Sequence, residues 1–203
     1  MAYVSLLGDS IIDNKIYVNP GELSVKEHLE DQSGYVFKQL AVDGHRTQDV
    51  INYQLDSLTN LSTHNVLSIG GNDLLGHMSF LQSSLELTVV ELLEQAVGLL
   101  APIKKRYRTI VENLSQQNPN VLLCTVYEGN LMGDPYYSNV AFASKAMVSM
   151  LNDIIFTTGV TFDVDVLELR NIFTEPEDYA NPIEPSHKGG EKLSQNILKW
   201  VNS

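Results

Sequence analysis

The chain contains little cysteine and few basic residues, and both shortages exclude certain classes of protein. Its single cysteine, Cys124, excludes an intramolecular disulfide, and with it a small secreted scaffold held together by disulfides. There are 13 basic residues against 25 acidic ones, which gives a net charge of −12. Nucleic acids and anionic membranes attract clustered lysine and arginine, so neither is expected as a main partner. The balance favours a protein that handles neutral or cationic molecules, although a solvated acidic surface alone would explain it.

Long apolar runs and targeting signals are also missing. No apolar stretch approaches the roughly 20 residues that a membrane-spanning helix needs. The sequence enters a strand pattern at Tyr3 with no basic segment before it, so no secretory signal is visible. We therefore expect no membrane span and a cytoplasmic location. The length of 203 residues and the hydrophobic fraction of 43% favour one domain, residues 1–203, with one large core.

Short apolar runs alternate with long amphipathic segments. The runs predict five strands, at 3–7, 35–42, 66–69, 121–126 and 160–166. Helical spacing predicts helices at 47–58, 85–100, 138–156 and 189–201, with a further apolar stripe over 103–114 after a break or kink at Pro102. Strands separated by helices pair in parallel through right-handed crossovers. The pattern therefore predicts a three-layer α/β domain around a sheet of about five strands.

Polar residues follow three of these strands, at the sheet edge where ligands bind in such folds. Gly8-Asp9-Ser10 follows the first strand, and a serine at this turn can present its hydroxyl and its backbone N–H at the rim. Gly44 follows the second strand and offers a backbone donor. Asn72, after Gly70-Gly71, brings a neutral amide donor to the same rim. Each pattern alone equally fits a helix cap or an ordinary turn.

Together the three sites resemble the SGNH, or GDSL, hydrolase family, whose motifs occur in this order and spacing over essentially the whole chain. The resemblance implies a flavodoxin-like α/β/α sandwich with a five-stranded parallel sheet. It implies Ser10 as the nucleophile, with an oxyanion hole formed by the Ser10 N–H, the Gly44 N–H and the Asn72 side chain. Family members hydrolyse esters or thioesters of lipids, small acyl groups and acetylated sugars, usually without a cofactor. We therefore expect a small-molecule ester substrate and no cofactor, and the histidine spacing predicts no metal site.

The family's last motif, Asp-x-x-His with a following proline and a glycine five residues after the histidine, is altered in this chain. One alignment places Glu184 at the histidine position, Asn181 at the aspartate position and Gly189 at the glycine position. The other takes Glu184-Pro185-Ser186-His187 as a literal acid-x-x-His motif, which leaves the glycines only two and three residues after His187. We favour the first because it keeps both the proline and the glycine in place. His187 would then begin the last helix.

The two alignments predict different chemistry. With His187 as the base, its ring takes the Ser10 proton and Glu184 orients the ring. With Glu184 as the base, the carboxylate contacts Ser10 directly; burial would raise its pKa, and nearby oxyanion donors would lower it. In either case the predicted activity is hydrolysis of carboxylic esters through a Ser10 acyl-enzyme. The alternative is a catalytically weak or inactive relative that binds a small ligand or partner in the same pocket.

Overall fold

The structure is a computed structural model that describes residues 2–77 and 87–203. A sheet of five parallel strands lies at its centre, in the order β2-β1-β3-β4-β5. The strands are β1 (Tyr3–Gly8), β2 (Val36–Gln39), β3 (His64–Ser68), β4 (Val121–Cys124) and β5 (Asp165–Leu167). This is the flavodoxin-like order, and the prediction of a five-stranded parallel sheet is confirmed.

Helices cover both faces of the sheet. The main ones in the described ranges are α1 (Val25–Asp31), α2 (Gly71–Leu75), α3 (Val89–Gln117), α4 (Ala141–Phe162) and α5 (His187–Val201). Helices α3 and α4 pack in one hydrophobic cluster with Leu7 and Leu67, whereas α1 and α5 pack in another with Leu6 and Val66. Successive strand residues point to opposite faces, so both faces are buried and the predicted three-layer sandwich is confirmed.

The end of α4 differs from the sequence prediction. Residues 160–166 were expected to form the fifth strand, but α4 continues to Phe162 and ends at Asp163, whose φ of 53° is left-handed. β5 then begins at Asp165. The β-branched residues in this stretch fit a strand or a helix, and Val160 is 85% exposed on the helix surface. The left-handed residue that stops the helix, which was not expected here, decides the boundary.

The sequence predicted a break or a kink at Pro102, and the break does not occur. The helix is unbroken from Val89 to Gln117 with Pro102 inside it. Proline removes one backbone donor and usually disturbs a helix. Leu100 and Ile103 are nevertheless both buried in the same cluster, and this shared packing holds the two halves of the helix on one face of the sheet. The predicted start at Leu85 lies outside the described residues.

Other observed helix and strand boundaries differ from the predicted ones by a few residues, and one predicted α-helix is replaced by other kinds of helical turn. The predicted helix over 47–58 is three short turns, Thr47–Asp49, the π-helical Val50–Gln54 and the 3₁₀ turn Leu55–Ser57. Helix α1 was not predicted, although Ser24 and Glu27 form a capping box at its start. The remaining differences are shorter strand ends and shifted helix termini, which are the least reliable parts of any pattern-based assignment.

Among the residues that the structure describes, one helical stretch, Ser138–Phe162, is long and apolar enough to cross a membrane by length and composition alone. Its residues Met147, Leu151 and Ile155 are buried in the cluster that covers the sheet. That packing accounts for its apolar character as a core helix.

The Cys124 thiol is expected to be unreactive in the native protein. It is fully buried in β4, and burial raises its pKa to about 12, so almost no reactive thiolate exists at neutral pH. A chromogenic thiol reagent should label no cysteine in the native protein within minutes and one per chain after denaturation. Rapid labelling of the folded protein would show that this part of the core opens.

Candidate active site

The carboxyl ends of β1, β3 and β4 meet at one pocket. Ser10 follows β1, Asn72 lies on α2 after β3, and Glu184 lies in the loop before α5; all three line the pocket. The other walls are mainly apolar and aromatic and include Ile11, Leu74, Leu75, Val126, Tyr127, Leu131, Tyr137, Met147, Val148 and Ile183. Of the five residues that the sequence indicated for the active site, the structure therefore brings three together in this pocket.

The end of β1 is fixed just before the turn to Ser10. Gly8 N donates to Gln54 Oε1 at 2.8 Å, and Gln54 Nε2 donates to Gly8 O at 2.8 Å. Gly8 has a φ of 137°, and a Cβ at this position would lie 1.8 Å from the Ser68 carbonyl oxygen. Only glycine fits here. The sequence indicated the turn, but it gave no signal for Gln54, which is 46 residues away along the chain.

Ser10 is 5% exposed and occupies the turn after Gly8. The neighbouring N–H groups are used within the turn, since Ile11 N donates to Asp9 Oδ1 and Ile12 N donates to Asp9 O. The Ser10 N–H makes no hydrogen bond within the described parts of the chain. It is therefore free to donate to a ligand oxygen.

Asn72 is oriented by the loop that follows β2. Its Nδ2 donates to the His45 carbonyl oxygen at 3.1 Å, and the second hydrogen of that amide group remains for a ligand. Gly44 precedes His45 but is not among the residues that line the pocket. The Gly44 N–H has no partner in the described ranges. Two of the predicted oxyanion donors, Ser10 and Asn72, thus line one pocket, and Gly44 precedes the residue whose carbonyl binds Asn72.

A buried carboxylate anchors α2 beneath Asn72. Asp73 accepts hydrogen bonds from Thr47 N at 2.8 Å and Thr47 Oγ1 at 2.7 Å, and it pairs with Arg106 at 3.1 Å. These contacts join the start of the helical turns after β2 to α2 and α3. They hold the two loops that carry the predicted donors in one arrangement.

Glu184 sits in a short loop that is closed by backbone contacts. Ala180 N donates to Glu184 O at 2.9 Å, and Asn181 Oδ1 accepts from Glu184 N at 3.0 Å. Tyr127 OH donates to Ile183 O at 2.7 Å, which ties the loop to the segment after β4. Asn181 therefore positions the Glu184 backbone.

The Glu184 carboxyl is 6% exposed, and burial is the main cause that raises its pKa. The Ser10 hydroxyl lies near enough to lower this pKa as a hydrogen-bond donor, and the charge of Asp43 raises it. The Ser10 and Glu184 side chains do not yet form a well-aligned hydrogen bond, and Glu184 Oε2 is buried without a partner among the described residues. Catalytic hydrogen bonds are often loose until substrate binds, so the two groups are best described as neighbours in one pocket.

His187 lies outside the pocket that Ser10 and Glu184 line. Its Nδ1 is 3.1 Å from both Leu23 N and His28 Nε2, and His187 does not line the pocket. It is the first residue of α5, as the alignment with Glu184 at the family's histidine position predicts.

Gly189 marks a close contact between α5 and the preceding loop. A Cβ on Gly189 would lie 2.2 Å from the Asp178 carbonyl oxygen. Asp178 is itself held by a 2.7 Å ion pair with Lys192, one turn further along the helix. The packing therefore requires glycine at 189, which supports the same alignment.

Asp9 is a buried carboxyl that the sequence did not single out as functional. It is 2% exposed and lines the pocket beside Ser10. Burial raises its pKa to about 8, the hydrogen bond from Ile11 N opposes this, and the charge of Glu184 raises it further. Asp9 is consequently mostly neutral at pH 7.

No protein-family model and no curated protein matches the sequence, but solved structures match its fold. An extracellular lipase from Streptomyces rimosus has a TM-score of 0.72 at 16% identity, with 100% of this chain and 99% of the lipase covered. An acetyl xylan esterase, AlAXEase, has a TM-score of 0.67 at 19% identity, with 98% and 99% covered. A GDSL-like lipase from Parabacteroides merdae has a TM-score of 0.70 at 12% identity, with 99% and 95% covered.

These structures define the class of the fold: an α/β/α sandwich of the kind found in lipases and esterases. More narrowly, it is the fold of the SGNH, or GDSL, hydrolases, as the sequence motifs predicted.

Proposed function

We propose that this protein hydrolyses carboxylic esters through an acyl-enzyme on Ser10, with Glu184 as the general base. The observation that carries the proposal is the placement of Ser10, Asn72 and Glu184 in the walls of one pocket. The lipases and esterases that share the fold support ester chemistry at this site.

In the first step, the Glu184 carboxylate takes the proton of the Ser10 hydroxyl as Oγ attacks the ester carbonyl carbon. Burial makes this carboxylate a stronger base than an exposed glutamate, because its pKa is raised. Negative charge then develops on the carbonyl oxygen. The Ser10 N–H, the remaining N–H of the Asn72 amide and the Gly44 N–H are the donors for this oxygen.

The intermediate collapses when protonated Glu184 returns its proton to the departing alcohol oxygen, which leaves an ester between the acyl group and Ser10. A water molecule then attacks this ester while Glu184 accepts its proton, and Glu184 returns the proton to Ser10 Oγ as the acyl–oxygen bond breaks. The products are the carboxylic acid and the regenerated serine. The same carboxyl therefore serves as base and acid in both halves of the reaction.

The alternative function, ligand binding without turnover, would be favoured by filled space between Ser10 and any candidate base. Ser10 and Glu184 instead line the same pocket, and the Ser10 hydroxyl is near enough to affect the Glu184 pKa. This proximity supports the enzyme over the binding protein.

An organophosphonate that mimics the tetrahedral intermediate is expected to label Ser10 covalently, at one adduct per chain. Mass spectrometry of the intact protein and of its peptides measures the stoichiometry and the site. Labelling should slow as the pH falls, because protonated Glu184 cannot accept the serine proton. The Ser10→Ala variant should remain unlabelled, and His187→Ala should label at close to the wild-type rate. An adduct on another residue would contradict the assignment of the nucleophile.

A further inference from the structure

The described lining of the pocket contains three acidic side chains and one histidine, His77. Asp9, Glu128 and Glu184 line it, and neither lysine nor arginine does. Glu128 is balanced by an ion pair with Lys145 at 2.6 Å. Asp9 and Glu184 have no such cationic partner among the described residues. Ionised Glu184, joined by Asp9 above about pH 8, therefore makes the end of the pocket beside Ser10 electrostatically unfavourable for an anion.

Two buried polar atoms in the pocket lining have no hydrogen-bond partner in the described parts of the chain. They are Oε2 of Glu184 and Oγ of Ser144, on residues that are 6% and 9% exposed. Buried polar groups are nearly always paired, and leaving one unpaired is costly. Both atoms can accept a hydrogen bond or a polarised C–H contact from a positively charged ligand. A positively charged ligand would therefore offset the unpaired carboxylate of Glu184, whereas the Ser144 hydroxyl can pair with a neutral group as well.

Aromatic rings contribute to the same lining. Tyr127 and Tyr137 both lie in the pocket wall, and the negative faces of aromatic rings attract organic cations. Burial is the main cause that raises the pKa of both tyrosine hydroxyls, and the charge of Glu184, which lines the same pocket, adds to it. Aromatic rings together with unbalanced carboxyls are a suitable environment for an ammonium group.

We propose that the ester substrate carries a positively charged nitrogen, which is bound between the carboxyls of Asp9 and Glu184 and the tyrosine rings. This inference rests on the proposed function and names its substrate class. One Glu184 oxygen is used for the Ser10 proton, and the other remains for the cation. Esters with a carboxylate or phosphate near the scissile bond are disfavoured by the same charges.

Asp9 makes the binding of a cation depend on pH. Burial is the largest effect on its pKa and raises it, the hydrogen bond from the Ile11 N–H lowers it, and the charges of Glu184, Asp73 and Asp43 raise it further. Because the pKa is about 8, Asp9 acquires its negative charge as the pH rises through that value. A nearby cation stabilises the charged form, so the affinity for a cation should increase over the same range.

The direct test compares a choline ester with the 3,3-dimethylbutyl ester of the same acid, which has the same shape but no charge. Calorimetric binding to the Ser10→Ala variant avoids turnover. We expect the choline ester to bind about tenfold more tightly, a ratio that corresponds to about 1.4 kcal/mol. Equal binding, or tighter binding of the neutral ester, would overturn the proposal.

Hydrolysis of both esters by the wild-type protein separates the two proposals. Turnover of both esters without a preference for charge would overturn the cationic substrate and leave the hydrolase intact. Preferential binding of the choline ester without hydrolysis of either ester would overturn the hydrolase and leave the cation site intact.

Two variants with the same change of charge test the part played by Asp9. Asp9→Asn should abolish the rise in cation preference through about pH 8, while Asp56→Asn, on an exposed turn away from the pocket, should retain it. The choline ester carries a permanent charge, so its own titration does not contribute. A rise that persists in folded Asp9→Asn protein would exclude Asp9 from the cation site.

Discussion

Replacing Ser10 with alanine is expected to lower kcat/KM for a short-chain nitrophenyl ester by roughly 10³-fold or more, because the acyl-enzyme can no longer form. Glu184→Gln should lower it by roughly 10²- to 10⁴-fold, the usual contribution of a general base. The glutamine keeps the size of the side chain, so the loss reports the missing proton acceptor. Steady-state kinetics on the purified variants measures both effects.

The pH profile adds a signature that a structural role for Glu184 would not produce. The base must be ionised, so wild-type kcat/KM should fall as the pH drops through the pKa of Glu184, which burial places above the ordinary glutamate value. His187→Ala is the control, since His187 contacts Leu23 and His28 and not the pocket. If His187→Ala abolished turnover while Glu184→Gln retained it, the assignment of the base would be wrong.

Gly8→Ala is expected to have the largest effect on folding, a loss of about 3 kcal/mol or more in the free energy of unfolding. The added Cβ would lie 1.8 Å from the Ser68 carbonyl oxygen, at a φ of 137° that alanine rarely adopts. β1 and β3 cannot separate to relieve this contact without losing their pairing. Urea unfolding followed by circular dichroism measures the loss.

Gly34→Ala is the matched control for that experiment, because a Cβ there meets nothing within 4 Å and the backbone is not left-handed. Its free energy of unfolding should remain within about 0.5 kcal/mol of the wild type. A Gly8→Ala protein as stable as this control would mean that the end of β1 is not held as tightly as the structure indicates.

The sheet could be predicted from the sequence because its signal is local. Apolar runs separated by helical stripes are enough to indicate parallel strands, and the polar residues after β1 and β3 then lie at one edge. The end of α4 could not be predicted in the same way. Val160 fits a strand as well as a helix, and the boundary depends on the left-handed conformation of Asp163, which has no distinctive sequence signal.

The parts of the site that depend on distant contacts were not accessible to sequence reasoning. Gln54 binds Gly8 from a turn that follows another strand, and nothing around Gln54 indicates that partner. The choice between Glu184 and His187 remained open because both alignments place a suitable group near α5. In the structure His187 contacts His28 on α1 and does not line the pocket, whereas Glu184 does. The His187–His28 contact exists only once the two helices are packed together.

The close contact between Gly189 and the Asp178 carbonyl has a consequence for substitutions at residue 184. The backbone of this loop is set by glycine packing and by hydrogen bonds to main-chain groups and to Asn181 Oδ1, none of which uses the Glu184 side chain. A substitution at residue 184 should therefore leave the course of the loop unchanged and alter only the group that lines the pocket.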